Sequence, residues 1–175
     1  MHFFDELVYR STAFTLNALG KTNSKVIEEL QTGASTVDIK NLQMIQLQKA
    51  ILAVGMFSLF ESILQEGLAC RNGLEDAKKI LIQSGNIDLN NRFEDFICAI
   101  NVLKHGKGKS YNALLSKTAS LSFRIKSPEE NFFKEGDVSE VSTLIEVDDK
   151  FVLDCAELIE HVSKEIRKER SDYYM

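Results

Sequence analysis

Between Asn101 and Tyr111 the chain gathers a histidine, two glycines and three lysines, as Asn101-Val-Leu-Lys104-His105-Gly106-Lys107-Gly108-Lys109-Ser110-Tyr111. No other stretch combines these types so closely. Imidazole passes protons near neutral pH and ammonium groups hold phosphate. The chemistry on offer is therefore acid–base work at a phosphodiester, or phosphate binding alone. At ~100° per residue, Asn101 and His105 lie one turn apart on the same helical face. Glu94 and Cys98 extend that stripe, but Glu94 sits ~16 Å back along the axis and cannot orient His105 directly.

His105 has three readings. Taken alone, the favoured one is a C-terminal helical histidine beside the last carbonyls and the negative end of the dipole. A metal ligand is poorly supported, because His2 and His161 are the only other histidines and neither has ligand spacing. The third reading makes His105 a general acid or base, with Asn101 orienting and Lys104 beside it, and with Lys107, Lys109, Ser110 and Tyr111 as the phosphate-binding loop. Gly108-Lys109-Ser110 matches the end of G-x-x-x-x-G-K-[ST], but the first glycine of that pattern falls on Leu103, and a helix rather than a strand precedes it. This excludes a phosphate-loop ATPase. A local anion site and a solvated helix–helix turn both stay open for the loop.

The elements that must position these residues follow from apolar periodicity. Phe3, Phe4, Leu7, Val8, Phe14, Ala18 and Leu19 predict a first helix of about 16 residues that Gly20 ends, with a short helix over 22–31. Ser35 or Thr36 offers an N-cap for the longest helix, from about Val37 to Cys70. Its middle, Leu47 to Leu64, is apolar nearly all round, which predicts a central place in a bundle. Glu61 reads as part of a solvated edge with Gln65 and Glu66. A short helix spans Leu74 to Ser84. Asp88 is the expected cap of the helix that carries Asn101 and His105, with Leu89, Phe93, Phe96, Ile97, Ile100 and Leu103 as its core stripe. Ser110 is the expected cap of another short helix. Leu121–Ile125 and Val141–Val147 alternate with period two, predicting a small β-hairpin or ordered loop within 120–147. Asp148 or Asp149 caps a last helix striped by Phe151, Val152, Cys155, Leu158, Ile159, Val162 and Ile166. The expected fold is all-α, a single domain over 1–175: an up-and-down bundle of about four main helices plus short ones.

Composition sets outer bounds. The 175 residues, 44% hydrophobic and 27% charged, suit one soluble domain with a substantial core. The net charge of −5 argues against a non-specific binder of nucleic acid or anionic membrane, though a local basic patch is compatible with it. Cys70, Cys98 and Cys155 lack C-x-x-C spacing, which suits a reducing compartment and a cytoplasmic protein without disulfides or zinc. The longest uncharged run, Ala50 to Phe60, is eleven residues, short of the ~20 a membrane span needs, so no membrane partner is expected.

A helix ending in Asn-Val-Leu-Lys-His-Gly, inside a small helical bundle with a long apolar second helix, resembles the HEPN superfamily (higher eukaryotes and prokaryotes nucleotide-binding domains). The resemblance covers the chain from the long helix to the last one. In many members an arginine, followed after four to six residues by a histidine, forms a metal-independent RNase site completed across a homodimer. Such domains recur in bacterial toxin–antitoxin and antiphage systems. His105 takes the histidine position and Asn101 the polar one. The arginine would stand at 98–100, where this chain has Cys98, Ala99 and Ile100. Arg92, thirteen residues before His105, lies about 140° round the helix from it. The resemblance thus implies a homodimeric, cofactor-free domain that binds RNA, a nucleotide or a partner protein. Endoribonuclease action through His105, with Lys104 or Lys107 supplying the missing charge, is the alternative.

Overall fold

The longest helix begins where the sequence places it. Ser35 and Asp38 form a reciprocal capping box, each side chain accepting from the other's backbone N–H at 3.2 Å, and this starts α2 (Thr36–Gly67). In the computed structural model, which describes residues 3–33, 35–130 and 143–170, α2 packs against four other helices. These are α1 (Phe4–Thr32), α3 (Gly73–Gln83), α4 (Ile87–His105) and α6 (Asp149–Glu169). The seven-residue α5 (Lys109–Leu115) lies against α4, and a 3-10 turn (Thr118–Ser120) follows it. The architecture is an all-α helical bundle, as expected.

Two aromatic groups fill the core. Phe93 of α4 meets Phe57 and Phe60 of α2 at ring separations of 6.3 and 6.2 Å, and Phe4 of α1 stacks on Phe60. Phe96 of α4 stacks on Phe151 of α6 at 5.3 Å, and Phe123 meets both edge-on. Such pairs add about 0.5–1.5 kcal/mol each beyond area burial. They fix the rotation of α4, and so decide which of its residues face outward. Asp148 accepts from the Phe151 N–H at 2.7 Å, confirming the expected cap of α6.

Several sequence expectations give way. Gly20 does not end α1, which runs on to Thr32. A glycine costs a helix about 1 kcal/mol, but with Val26 buried beyond it the packing of the next turns outweighs that cost. Asp88 is in the first turn of α4, not its cap. Asn86 takes the cap position without a side-chain bond to the helix and uses its amide on Ser84 and Glu165 instead. Ser110 does not cap α5 either, since Gly108 holds that position. The centre of α2 is apolar all round but not covered all round, for Leu47, Ile51 and Leu59 are exposed.

The segments flanking 131–142 meet in one antiparallel bridge, Ile125 with Ile145. Lys126 N–H donates to the Leu144 carbonyl at 3.0 Å, and Glu146 N–H to the Arg124 carbonyl at 3.1 Å. Residues 121–125 and 143–147, expected as the two strands, make this one bridge and no strand, and 131–142 lie outside the described residues. By length and composition α2 would also suffice to cross a membrane, a criterion that core helices of soluble proteins meet too. The lysine in its middle, Lys49, reaches Asp149 of α6 at 2.8 Å.

Candidate phosphate-binding site

Gly106 ends α4. Its N–H bonds the Val102 carbonyl at 2.8 Å and its φ of 72° is left-handed, a conformation strained for any side-chain-bearing residue. The chain turns at once, and α5 starts three residues later. Lys104 and His105 therefore stand on the last turn of α4, Lys107 in the connection and Lys109 at the head of α5. All four side chains are exposed. None of the three lysines has a carboxylate partner among the described residues. By contrast, Lys78 and Lys79 of α3 and Lys150, Lys164, Arg167 and Lys168 of α6 are all paired. The result is an un-neutralised cationic end on a chain whose net charge is −5.

Asn101 is half-buried one turn below His105. With Lys104, Ile97 and Ile100 it lines a small cleft closed by Phe57, Ser58 and Glu61 of α2 and Leu74 of α3. The space for water in it is about 20 Å³, enough for one ordered molecule and far too little for a base. Glu61, assigned from the sequence to a solvated edge, thus shares a cleft with Asn101 and Lys104. Its spacing within α2 gave no sign of this, because only the packing of α4 on α2 brings the two helices' polar residues together.

The remaining loop residues divide. Burial pushes the Cys98 thiol above its ordinary pKa, and Ser110 beside it offsets part of that rise. Tyr111 is buried, and its hydroxyl donates to the Lys126 carbonyl at 2.6 Å. It ties α5 to the 124–126 segment and is not a phosphate contact. Tyr111, Leu114 and Leu115 recur at i, i+3 and i+4, the signal that could have placed Tyr111 inward. Lys117 pairs with Asp95 of α4, and this carboxylate holds its ammonium pKa above the usual value. Arg92 lies ~20 Å up the helix axis from His105, with its guanidinium 3.3 Å from Asp154 and over the Phe96 ring. It has no access to His105. Among the described residues no group of three or more His, Cys, Asp or Glu could hold a metal ion.

A larger cleft of about 360 Å³ opens between the 118–124 segment and the start of α6, and shares no residue with the site above. Its two cations are already engaged, Arg124 with Glu130 and Glu146, and Lys150 with Asp154. Fold and site together define an all-α bundle with a cationic helix–turn–helix end. Comparison with protein-family models, with curated proteins and with solved structures gives no match for the chain.

Proposed function

We propose that this chain is a HEPN-like module that binds RNA without cutting it, holding backbone phosphates at the α4–α5 turn. The observation that carries this reading is the cluster of Lys104, Lys107 and Lys109, exposed within six residues and unpaired among the described residues, while the cations of α3 and α6 are neutralised. Free ammonium groups at one end of an acidic protein attract a polyanion and confine it to that end. His105 adds a donor beside them. The water-sized cleft at Asn101 suits backbone contact rather than capture of a base. The HEPN likeness brings a bacterial cytoplasmic setting, in defence or toxin–antitoxin systems.

Binding without cleavage follows from what stands beside His105. The arginine of the HEPN pattern would hold a planar, two-pronged cation against the scissile phosphate in the transition state, a geometry that exposed lysines do not reproduce. Positions 98–100 supply Cys98, Ala99 and Ile100, and Arg92 is taken by Asp154. One observation favours a second reading, metal-independent endoribonuclease action with His105 as base: Lys104 and Asn101 line one cleft within a turn of it. The two readings separate in one experiment. A fluorescent single-stranded RNA is titrated with wild type, with His105→Ala and with Lys104→Gln/Lys107→Gln/Lys109→Gln, and its length is then checked on a gel. The proposal expects binding by wild type, loss of at least tenfold in affinity for the triple variant, and intact RNA throughout. Cleavage by wild type that His105→Ala abolishes would establish the second reading.

A further inference from the structure

Four polar side chains converge on the water-sized cleft beside the cationic turn, Ser58 and Glu61 from α2 and Asn101 and Lys104 from α4. Among the described residues none of the four makes a side-chain hydrogen bond or an ion pair. The carboxylates of Asp5, Asp95 and Asp154, by contrast, meet Arg167, Lys117 and Arg92. Half-buried Glu61 and Lys104 border one gap from two helices and do not close on each other. The wall behind Glu61 is rigid. Gly73 of α3 comes so close that a Cβ there would lie 2.8 Å from the Glu61 carbonyl oxygen, which fixes the turn of α2 that carries this carboxylate.

What fits there is set by donors and acceptors. The Glu61 carboxylate only accepts, the Lys104 ammonium only donates, and Ser58 and Asn101 do both. An anion would meet the charge of Glu61, and a cation that of Lys104. A neutral hydroxyl, donor and acceptor in one atom, satisfies both walls. The space of about 20 Å³ takes a group of water's size and no more.

We infer that Glu61, with Ser58 and Asn101, holds a ribose 2′-hydroxyl, and that this contact makes the site prefer RNA to DNA. The inference rests on the reading of the turn as a phosphate site. It adds what the lysines cannot supply, since ammonium groups bind the phosphates of either polymer. Lys104 joins the two features, for it belongs both to the cleft and to the cationic cluster. A nucleotide whose phosphate lies on Lys104 carries its 2′-hydroxyl on the adjoining sugar, at the cleft mouth. The hydroxyl takes the place of the water and keeps its hydrogen bonds, donating to the Glu61 carboxylate and accepting from Lys104 or the Asn101 amide. Deoxyribose leaves the cleft to solvent.

The test compares the affinities of the full chain for oligouridylate, for its 2′-deoxy counterpart with the same bases, and for its 2′-fluoro counterpart, which keeps the ribose pucker but cannot donate. Wild type is expected to bind the ribose form roughly tenfold more tightly than either of the others, the worth of one hydrogen bond to a charged group. Glu61→Ala is expected to bring the three affinities within about twofold of one another. Each comparison is a ratio on one protein, so the repulsion that Glu61 itself exerts on phosphate cancels. Lys107→Gln/Lys109→Gln is expected to weaken all three together and keep the ratio. Equal wild-type affinities for the ribose and deoxyribose forms overturn the inference, and leave the phosphate site standing where the double lysine variant weakens both. A 2′-fluoro form that binds like RNA overturns it too, as does a preference that survives Glu61→Ala. Wild type that binds none of the three overturns both the inference and the reading beneath it. The wild-type comparison needs no variant, so it decides even where Glu61→Ala fails to fold.

Discussion

Lys104, Lys107 and Lys109 differ from the lysines of α3 and α6 in forming no ion pair among the described residues. That difference was legible in the sequence, where each of those five lysines has a carboxylate three or four residues away on its own helix and Lys104, Lys107 and Lys109 have none at that spacing. Tyr111 shows the converse. Beside two lysines and a serine it looked like part of a phosphate loop. Yet ~200° of helix separates it from Lys109 and turns it into the core. Removing its hydroxyl leaves the Lys126 carbonyl without this donor, so Tyr111→Phe should cost about 1–2 kcal/mol, read as a lower urea midpoint. His105→Ala, at an exposed position, should shift that midpoint by less than about 0.5 kcal/mol.

At the level of elements, the sequence marked starts better than ends. Ser35 and Asp148 cap α2 and α6 as their side chains predict, because a side-chain oxygen aimed at a free N–H is a local event. Gly20 misled because helix termination is a balance between local preference and the burial beyond it. The close approach of α2 and α3 was not legible at all. A Cβ on Gly73 would lie 2.5 Å from Leu64 Cβ and 2.8 Å from the Gln65 nitrogen and the Glu61 carbonyl oxygen. Backbone cannot yield as a flexible side chain can, so Gly73→Ala should destabilise by about 2–3 kcal/mol despite alanine's higher helix propensity. Thermal melts should show the loss. The displacement should also reach Glu61 and hence the cleft at Asn101.

For the whole molecule, the ends of the chain's described part are joined. Arg167 of α6 holds buried Asp5 of α1 with two bonds, at 3.2 and 2.7 Å, and lies 4.6 Å over the Phe3 ring. Arg167→Met would strand a buried carboxylate. The expected loss is about 3 kcal/mol in chemical denaturation, whereas replacing both partners, Asp5→Leu with Arg167→Met, should recover most of it. No sequence pattern announces a contact across 162 positions. The all-α class and the core stripe of α6 were legible because periodicity is local. Which face of α2 stays uncovered was not, because that depends on how many helices surround it. In the proposed function, RNA is held by a handful of lysine–phosphate contacts at one end of the bundle. The most direct test is the salt dependence of RNA affinity. With three lysines engaged, the logarithm of the association constant should fall with log salt at a slope of about −2, and each Lys→Gln change at 104, 107 or 109 should flatten it by about 0.7. A slope near zero, or one untouched by all three substitutions, would contradict it.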